Sequence, residues 1–396
     1  MSSLPLPDAD ALAHSAQLEG LIRAEIAASG GAVPFSRFME LALYAPGLGY
    51  YSAGATKFGA AGDFVTAPEL GTLFARCVAA ALAPVIGQIG AQAQFLEIGG
   101  GSGAFAEAAL RQLQALDAVP ARYAILEPSA DLRQRQAARL QANLPAALAA
   151  RVEWLNGPIE SEWQGVVFAN EVLDALPTSR FVIGEAGEVS EEYVANREAG
   201  GFYSVAAPAD ALLCNAVNHL QRGLPAPLPP GYRSEVLPQL PYWLQAVIGR
   251  LNRGALLFAD YGYPRAEFYH PSRSDGTLRA FRRHHLLADV LALPGLQDIT
   301  ASVDFTALAE AGVGAGFDLA GYVTQANFLI GNGLDVQLAG AEAGVSDECA
   351  RLALRREAKQ LTLPEAMGER FQMMGFERDV DFGHAFMLGE MSWRLG

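Results

Sequence analysis

The chain has 396 residues, 51% of them hydrophobic, and a formal net charge of −15 with only two lysines, Lys57 and Lys359. That length suffices for one large elaborated domain or for two domains. The acidity disfavours nucleic acid and anionic membrane surfaces, which demand phosphate neutralisation, while tolerating a cationic partner or simply aiding solubility.

Cys77, Cys214 and Cys349 are too scattered for a paired framework and read as core thiols of a reducing compartment. No Cys/His cluster has metal-ligand spacing, so no metal is expected. The opening "MSSLPLPDADALAHSAQLEG" lacks a basic stretch followed by an apolar one, which argues against a targeting segment. No apolar run is long enough to span a bilayer. A cytoplasmic protein without membrane insertion is expected.

In chain order, residues 9 to 29 are alanine-rich and helix-like. "VPFSRFMELALY" predicts a second helix with Ser36 as its cap. A segment dense in glycine, proline and aromatics follows to residue 71; its Tyr50, Tyr51, Phe58 and Phe64 argue against disorder and suit either packing or an apolar lid. A helix then runs to about residue 90. From "QFLEI" onward short apolar runs alternate with helical ones: "RYAILEP", "RVEWLN", "WQGVVFANEV" and "NRGALLFADYG" read as strands, and Ser129 caps the helix after the second of the five. This alternation predicts a doubly wound parallel sheet covered on both faces. Residues 178–236 instead show β-type runs broken by glycine turns, which predicts an inserted antiparallel meander and connector. Beyond residue 263 come a basic histidine-bearing loop, a helix from "FTALAEAG", an apolar stretch, more helix, and two expected strands, "RFQMMGF" and "AFMLGEM". The expected division is 1–92 as an N-terminal helical layer, 93–177 with 237–396 as the core, and 178–236 as the insertion.

Three meanings compete for "FLEIGGGSGAFAEAAL" at residues 95–110. Gly99, Gly100, Gly101 and Gly103 could simply make a tight turn. Gly99-x-Gly101-x-x-Ala104 also fits a dinucleotide loop with Glu127 as its ribose acid. Glu97 weighs against that, because a carboxylate at the end of the strand repels a pyrophosphate seated on the following helix N-terminus. S-adenosyl-L-methionine (SAM) carries a sulfonium and an ammonium against one carboxylate, so an acid beside the loop suits it. Glu97, Gly99, Gly101, Gly103, Glu127 and Ser129 are then cofactor residues, with Glu127 accepting from the ribose hydroxyls. Ile159, after the third strand, would face the adenine, and Asn170, ending the fourth, the methyl group.

"ANEVLDALP" places Asn170, Glu171 and Asp174 at the same sheet edge. They read either as solvated charges at a helix start or as groups that hold and deprotonate a nucleophile beside the sulfonium. Carboxylates suit a nitrogen nucleophile on a cation, and a guanidinium best of all, since its fork takes two of them.

These residues, with "PFSRFMELALYAPGLGYYS", "GDFVTAPELGTLFA", "FADYGYPRAEFYHPSRSDGTLRAF", "LQDITASVDFTALAEA" and "GYVTQANFL", resemble in order the MidA-like SAM-dependent methyltransferases of bacteria and mitochondria. The resemblance implies a class I, Rossmann-like α/β methyltransferase core and methylation of a protein arginine; the mitochondrial member of the family assists complex I assembly and acts on a core subunit of that complex. It places Gly62, Asp63, Thr66, Pro68 and Glu69 on a loop folded over the cofactor, with Asp63 and Glu69, like Asn170, Glu171 and Asp174, shaping the acceptor side. Where many relatives have a histidine, this chain has Ser302. That leaves His284 and His285 as proton acceptors or as surface residues of a basic loop with Arg279, Arg282 and Arg283. The expected cofactor is SAM and the expected partner a protein substrate; a homodimer is compatible with the sequence. The rival readings are a non-catalytic assembly or binding factor on the same fold and a small-molecule methyltransferase.

Overall fold

The computed structural model describes residues 7–52, 66–283 and 285–396. Its contacts gather into two units: residues 1–64, 173–239 and 263–304 in the first, residues 65–172, 240–262 and 305–396 in the second.

Among the described residues the second unit is built on seven strands: β1 (Gln94–Ile98), β2 (Arg122–Leu126), β3 (Val152–Leu155), β4 (Glu162–Asn170), β5 (Arg250–Tyr263), β6 (Asp318–Thr324) and β7 (Phe371–Arg378). They lie in the order β6-β7-β5-β4-β1-β2-β3. β1 to β5 are mutually parallel, and β7 runs antiparallel to both β5 and β6. The apolar run Val166–Ala169 is buried throughout, as a strand covered on both faces must be. Within the sheet Phe95 stacks on Tyr123 at 4.6 Å, and Phe105 of the helix Ala104–Ala115 ties that helix to the sheet by stacking on Phe168 at 4.3 Å. Each such ring, once buried, contributes about 1.5–3 kcal/mol. The helix Leu73–Ile89 has no side-chain cap of its own at Thr72; Glu357 supplies one from far along the chain, its Oε1 accepting from the Leu73 N–H at 2.6 Å.

The first unit holds the predicted antiparallel meander. Val189–Asn196 pairs with Ser179–Ile183 and Phe202–Pro208, and Ser179–Ile183 also pairs with Arg233–Val236. The N-terminal strand Ala32–Pro34 joins the same sheet along Val189–Asn196. Inside this unit the buried Arg180 donates to Glu192 at 2.9 Å and to Glu235 at 3.2 Å, so its charge is matched where water is excluded.

Several sequence expectations need correction. Ser36 is not a cap: the second helix starts at Phe35, after Pro34, which ends a strand. The basic loop forms a small antiparallel sheet, Arg279–Arg282 between His285–Leu287 and Asp298–Thr300. "AFMLGEM" is not a strand. It carries a short 3-10 turn, Gly383–Phe386, because the Phe386 ring fills the space where Cβ atoms on Gly375 and Gly321 would lie, 2.3 Å and 2.4 Å from it. Only Cys77 is a buried thiol; Cys349 is exposed. Among the described residues no helix is long and apolar enough to cross a membrane.

Candidate functional site

The site lies in the second unit, at the carboxyl ends of its parallel strands, where ligands of such sheets bind. Glu97, in β1, is only 3% exposed and accepts a hydrogen bond from the Tyr123 hydroxyl at 2.8 Å. Burial pushes its carboxyl up to about 8; the tyrosine bond opposes the rise and the neighbouring Glu127 adds to it. A buried acid held this close to neutrality is ready to ionise when a cation arrives.

The loop after β1 needs its glycines. Gly99 has φ 72° and donates to the Leu126 carbonyl at 3.0 Å, and a Cβ there would lie 2.9 Å from Val172 Cγ2. Gly101 has φ 51°, and a Cβ on it would meet no protein atom within 4 Å. The backbone at Gly101 therefore faces open space, as a loop that cradles a ligand must.

Two side chains that the sequence reading missed lock this edge. Gln136 is fully buried; its Nε2 donates to Gly101 O at 2.9 Å and to Glu127 Oε2 at 3.3 Å, while its Oε1 accepts from Trp154 Nε1 at 2.8 Å. One carboxamide thus joins the β1 loop, the acid after β2 and a residue of β3. Arg133 donates to the Glu127 carbonyl, to Leu155 O at 2.7 Å and to Asn156 Oδ1 at 2.6 Å. A signal for Gln136 was present in the sequence: it sits between Leu132 and Leu140 on the buried stripe of the helix Ala130–Asn143, a polar residue where an apolar one belongs.

The predicted residues fall as follows. Glu127 accepts from the Ser129 N–H at 3.0 Å, and the Ser129 hydroxyl caps its helix through Leu132. Glu69 accepts from Ser102 Oγ, which fixes the short helix Ala67–Leu70 to the glycine loop; Thr66 precedes that helix and Pro68 lies inside it. Ile159 is buried. Asn170 Nδ2 donates to Glu171 Oε1 at 3.1 Å, and Asn170 Oδ1 is buried with no partner. Glu171 has φ 53°, a strained conformation for a residue with a Cβ, and its N–H donates to Ala259 O at 2.9 Å. Asp174 belongs to the first unit and is buried there. In that unit Tyr51 donates to Asp298 at 2.9 Å; burial, then Asp298, Tyr44 and Asp174, hold its hydroxyl well above the ordinary tyrosine value. Gly62, Asp63, Phe58, Phe64 and His284 lie outside the described residues.

A family model for S-adenosyl-L-methionine-dependent methyltransferases matches residues 77–323. The chain belongs to that family. A crystal structure from Burkholderia thailandensis, bound to S-adenosyl-homocysteine, is 42% identical, superposes with a TM-score of 0.90 and covers 99% of this chain and 100% of its own. The mitochondrial protein arginine methyltransferase NDUFAF7 of Danio rerio is 29% identical across 86% of this chain and 82% of its own length, and a Drosophila melanogaster homologue is 28% identical across 96% and 89%. The fold is the class I methyltransferase fold, and the cofactor is SAM. The acid set, the open face at Gly101 and the unpartnered Asn170 oxygen fit a net cationic ligand.

Gln136→Leu is expected to weaken adenosylhomocysteine binding about tenfold in calorimetry, because it strands Trp154 Nε1 and the Gly101 carbonyl without partners. Full affinity in the folded variant would show that the clamp does not shape the site.

Proposed function

We propose that this methyltransferase modifies the guanidinium of an arginine in a partner protein. The observation that carries the reading is the acidic character of the sheet edge: Glu171, just past the end of β4, adjoins the β5 segment that carries Asp260, tied to it by the Glu171 N–H donating to the Ala259 carbonyl. The named activity of the NDUFAF7 relatives, which align over most of the chain, supports it.

Bound SAM supplies an electrophilic methyl group on a sulfonium. The protein's work is to bind, orient and exclude water. In this proposal Glu97 offers its carboxylate to the cationic end of the cofactor, Gly99, Gly101 and Gly103 give the backbone room to approach it, and Glu127, steadied by Ser129 and Gln136, receives the ribose hydroxyls. Ile159 lines the adenine side. Asn170, with its amide nitrogen engaged by Glu171, turns its oxygen toward a donor on the ligand. Glu171 and Glu69 supply negative charge that aligns a guanidinium and can take its proton. Asp174 and Asp63 belong to the same proposal on sequence grounds, with loss of turnover but not of cofactor binding expected for Asp174→Asn.

The reading is tested by incubating the protein with methyl-tritiated SAM and host lysate and hydrolysing the labelled protein. Tritiated methylarginine is expected. Label confined to the low-mass fraction would make the enzyme a small-molecule methyltransferase, and no label at all despite cofactor binding would make it a binding factor.

A further inference from the structure

The second unit ties its glycine loop to a helix near the end of the chain through two short polar links. The first joins the loop to the helix Ala67–Leu70: Glu69 Oε1 accepts from the Ser102 hydroxyl. The direction of that bond is fixed. Arg139 Nη1 lies 3.4 Å from Ser102 Oγ and can only donate, so the serine proton is left for Glu69. Arg139 is itself held by Glu107, through its Nε at 2.8 Å.

The second link comes one turn later, with only Leu70, Gly71 and Thr72 between. Glu357, in the helix Glu348–Thr362, accepts from the Leu73 N–H at 2.6 Å. Its carboxylate also fills the space into which a side chain at Gly71 would project. Gly71 has φ 164°, extended backbone that any residue adopts, so the carboxylate and not the backbone requires glycine there. Burial raises the Glu357 carboxyl above its ordinary value, with the Leu73 N–H and then Arg76 acting against the rise.

A helix of four residues has no stability of its own, because a single turn does not repay its nucleation. Ala67 is buried and Leu70 packs against the core, but apolar contacts are non-directional. They hold the segment down without fixing how far along the surface it sits. The two polar links do that, one at each end. Thr72 gives the helix Leu73–Ile89 no side-chain cap, so loss of the Glu357 carboxylate strands a buried N–H at Leu73 and frees the turn, and Glu69 moves with it.

We infer that Glu357 is a positioning residue of the cofactor site: by fixing the turn Gly71–Leu73 it sets Glu69 on Ser102, and so holds the glycine loop in the form that receives SAM. This role rests on the placement of SAM at that loop. Glu357 itself touches the turn and not the ligand.

The test measures adenosylhomocysteine affinity of the full chain by calorimetry, with a thermal melt of each variant to show that it is folded. Glu357→Leu is expected to weaken binding about tenfold. Glu357→Gln keeps an oxygen for the Leu73 N–H and is expected to recover most of that loss. Ser102→Ala cuts the other link, leaves the loop backbone in place, and is expected to weaken binding by a similar factor. Both substitutions break the same chain of contacts. Glu357→Leu combined with Ser102→Ala is therefore expected to bind no worse than the weaker-binding of the two single variants. A residue that only supported the fold would lower the melting temperature and leave affinity alone, or would add its loss to that of Ser102→Ala. Unchanged affinity in either folded single variant, or additive losses in the double one, overturns the inference. Should Glu357→Leu fail to fold, Gly71→Ala decides it: the new Cβ pushes the carboxylate off the Leu73 N–H without backbone strain. A loss of about tenfold is then expected, and full affinity overturns the role. Gly101→Val keeps the two failures apart. Full affinity in that variant removes the placement of SAM, whereas lost affinity there with full affinity in Glu357→Leu and Ser102→Ala removes only the role of Glu357.

Discussion

Gly101→Val is expected to lower adenosylhomocysteine affinity at least a hundredfold while the protein stays folded. Two effects act at this position, and the structure separates them. The backbone there has φ 51°, a region where a side chain costs about 1–2 kcal/mol. That strain lowers the melting temperature by a few degrees. A Cβ at Gly101 meets no protein atom within 4 Å, so no clash within the fold adds to it. The branched side chain instead fills the space from which the ligand approaches the loop, and binding is lost for that reason. Gly99→Ala supplies the contrast: its Cβ would press on Val172, so it is expected to reduce stability as well as affinity. Calorimetry with adenosylhomocysteine, paired with thermal melts of each variant, measures both. A folded Gly101→Val that binds with full affinity would remove the loop from the site.

Glu97→Gln is expected to abolish tight SAM binding and, at pH 8, to raise the melting temperature of the ligand-free protein. The Glu97 carboxyl is raised from the ordinary 4.5 to about 8 by burial. A carboxyl whose folded value lies above its unfolded value favours folding when protonated. Its contribution is fully present below about pH 4.5 and is lost as pH rises through 8. At pH 8 the half-ionised, buried Glu97 therefore opposes folding, by on the order of 4 kcal/mol relative to low pH. Glutamine mimics the protonated form and can still accept from the Tyr123 hydroxyl. The stability gain of the variant should shrink as pH is lowered toward 5.

Function runs the other way. A bound cation restores the charged form of Glu97, so binding near pH 7 must release a fraction of a proton from this group. The calorimetric heat of SAM binding should then change with the ionisation enthalpy of the buffer, and in Glu97→Gln that dependence should vanish along with most of the affinity. A variant that is no more stable at pH 8, and that binds SAM as the unmodified protein does, would show that Glu97 is an ordinary core acid.

Much of this was legible in the sequence because it rests on local rules. The strands β1 to β5 are short apolar runs, the helices between them carry capping residues such as Ser129, and a glycine cluster beside an acid marks the loop. What escaped depends on contacts between distant segments. β7 runs against the other strands, which no local pattern announces. Phe386 looks strand-like until the glycines at 321 and 375 are seen to make room for its ring. The Glu357 cap lies far along the chain from Leu73. Gln136 was visible only as an anomaly on an apolar stripe.

In this reading a net cationic methyl donor is held by Glu97, Glu127 and the glycine loop of the second unit. A crystal structure of this chain with adenosylhomocysteine tests it most directly. The ribose hydroxyls are expected on the Glu127 carboxylate and the amino-acid end over Gly99–Gly103, next to Glu97. Ligand density away from those residues, with Glu127 still bonded only to protein groups, would contradict it.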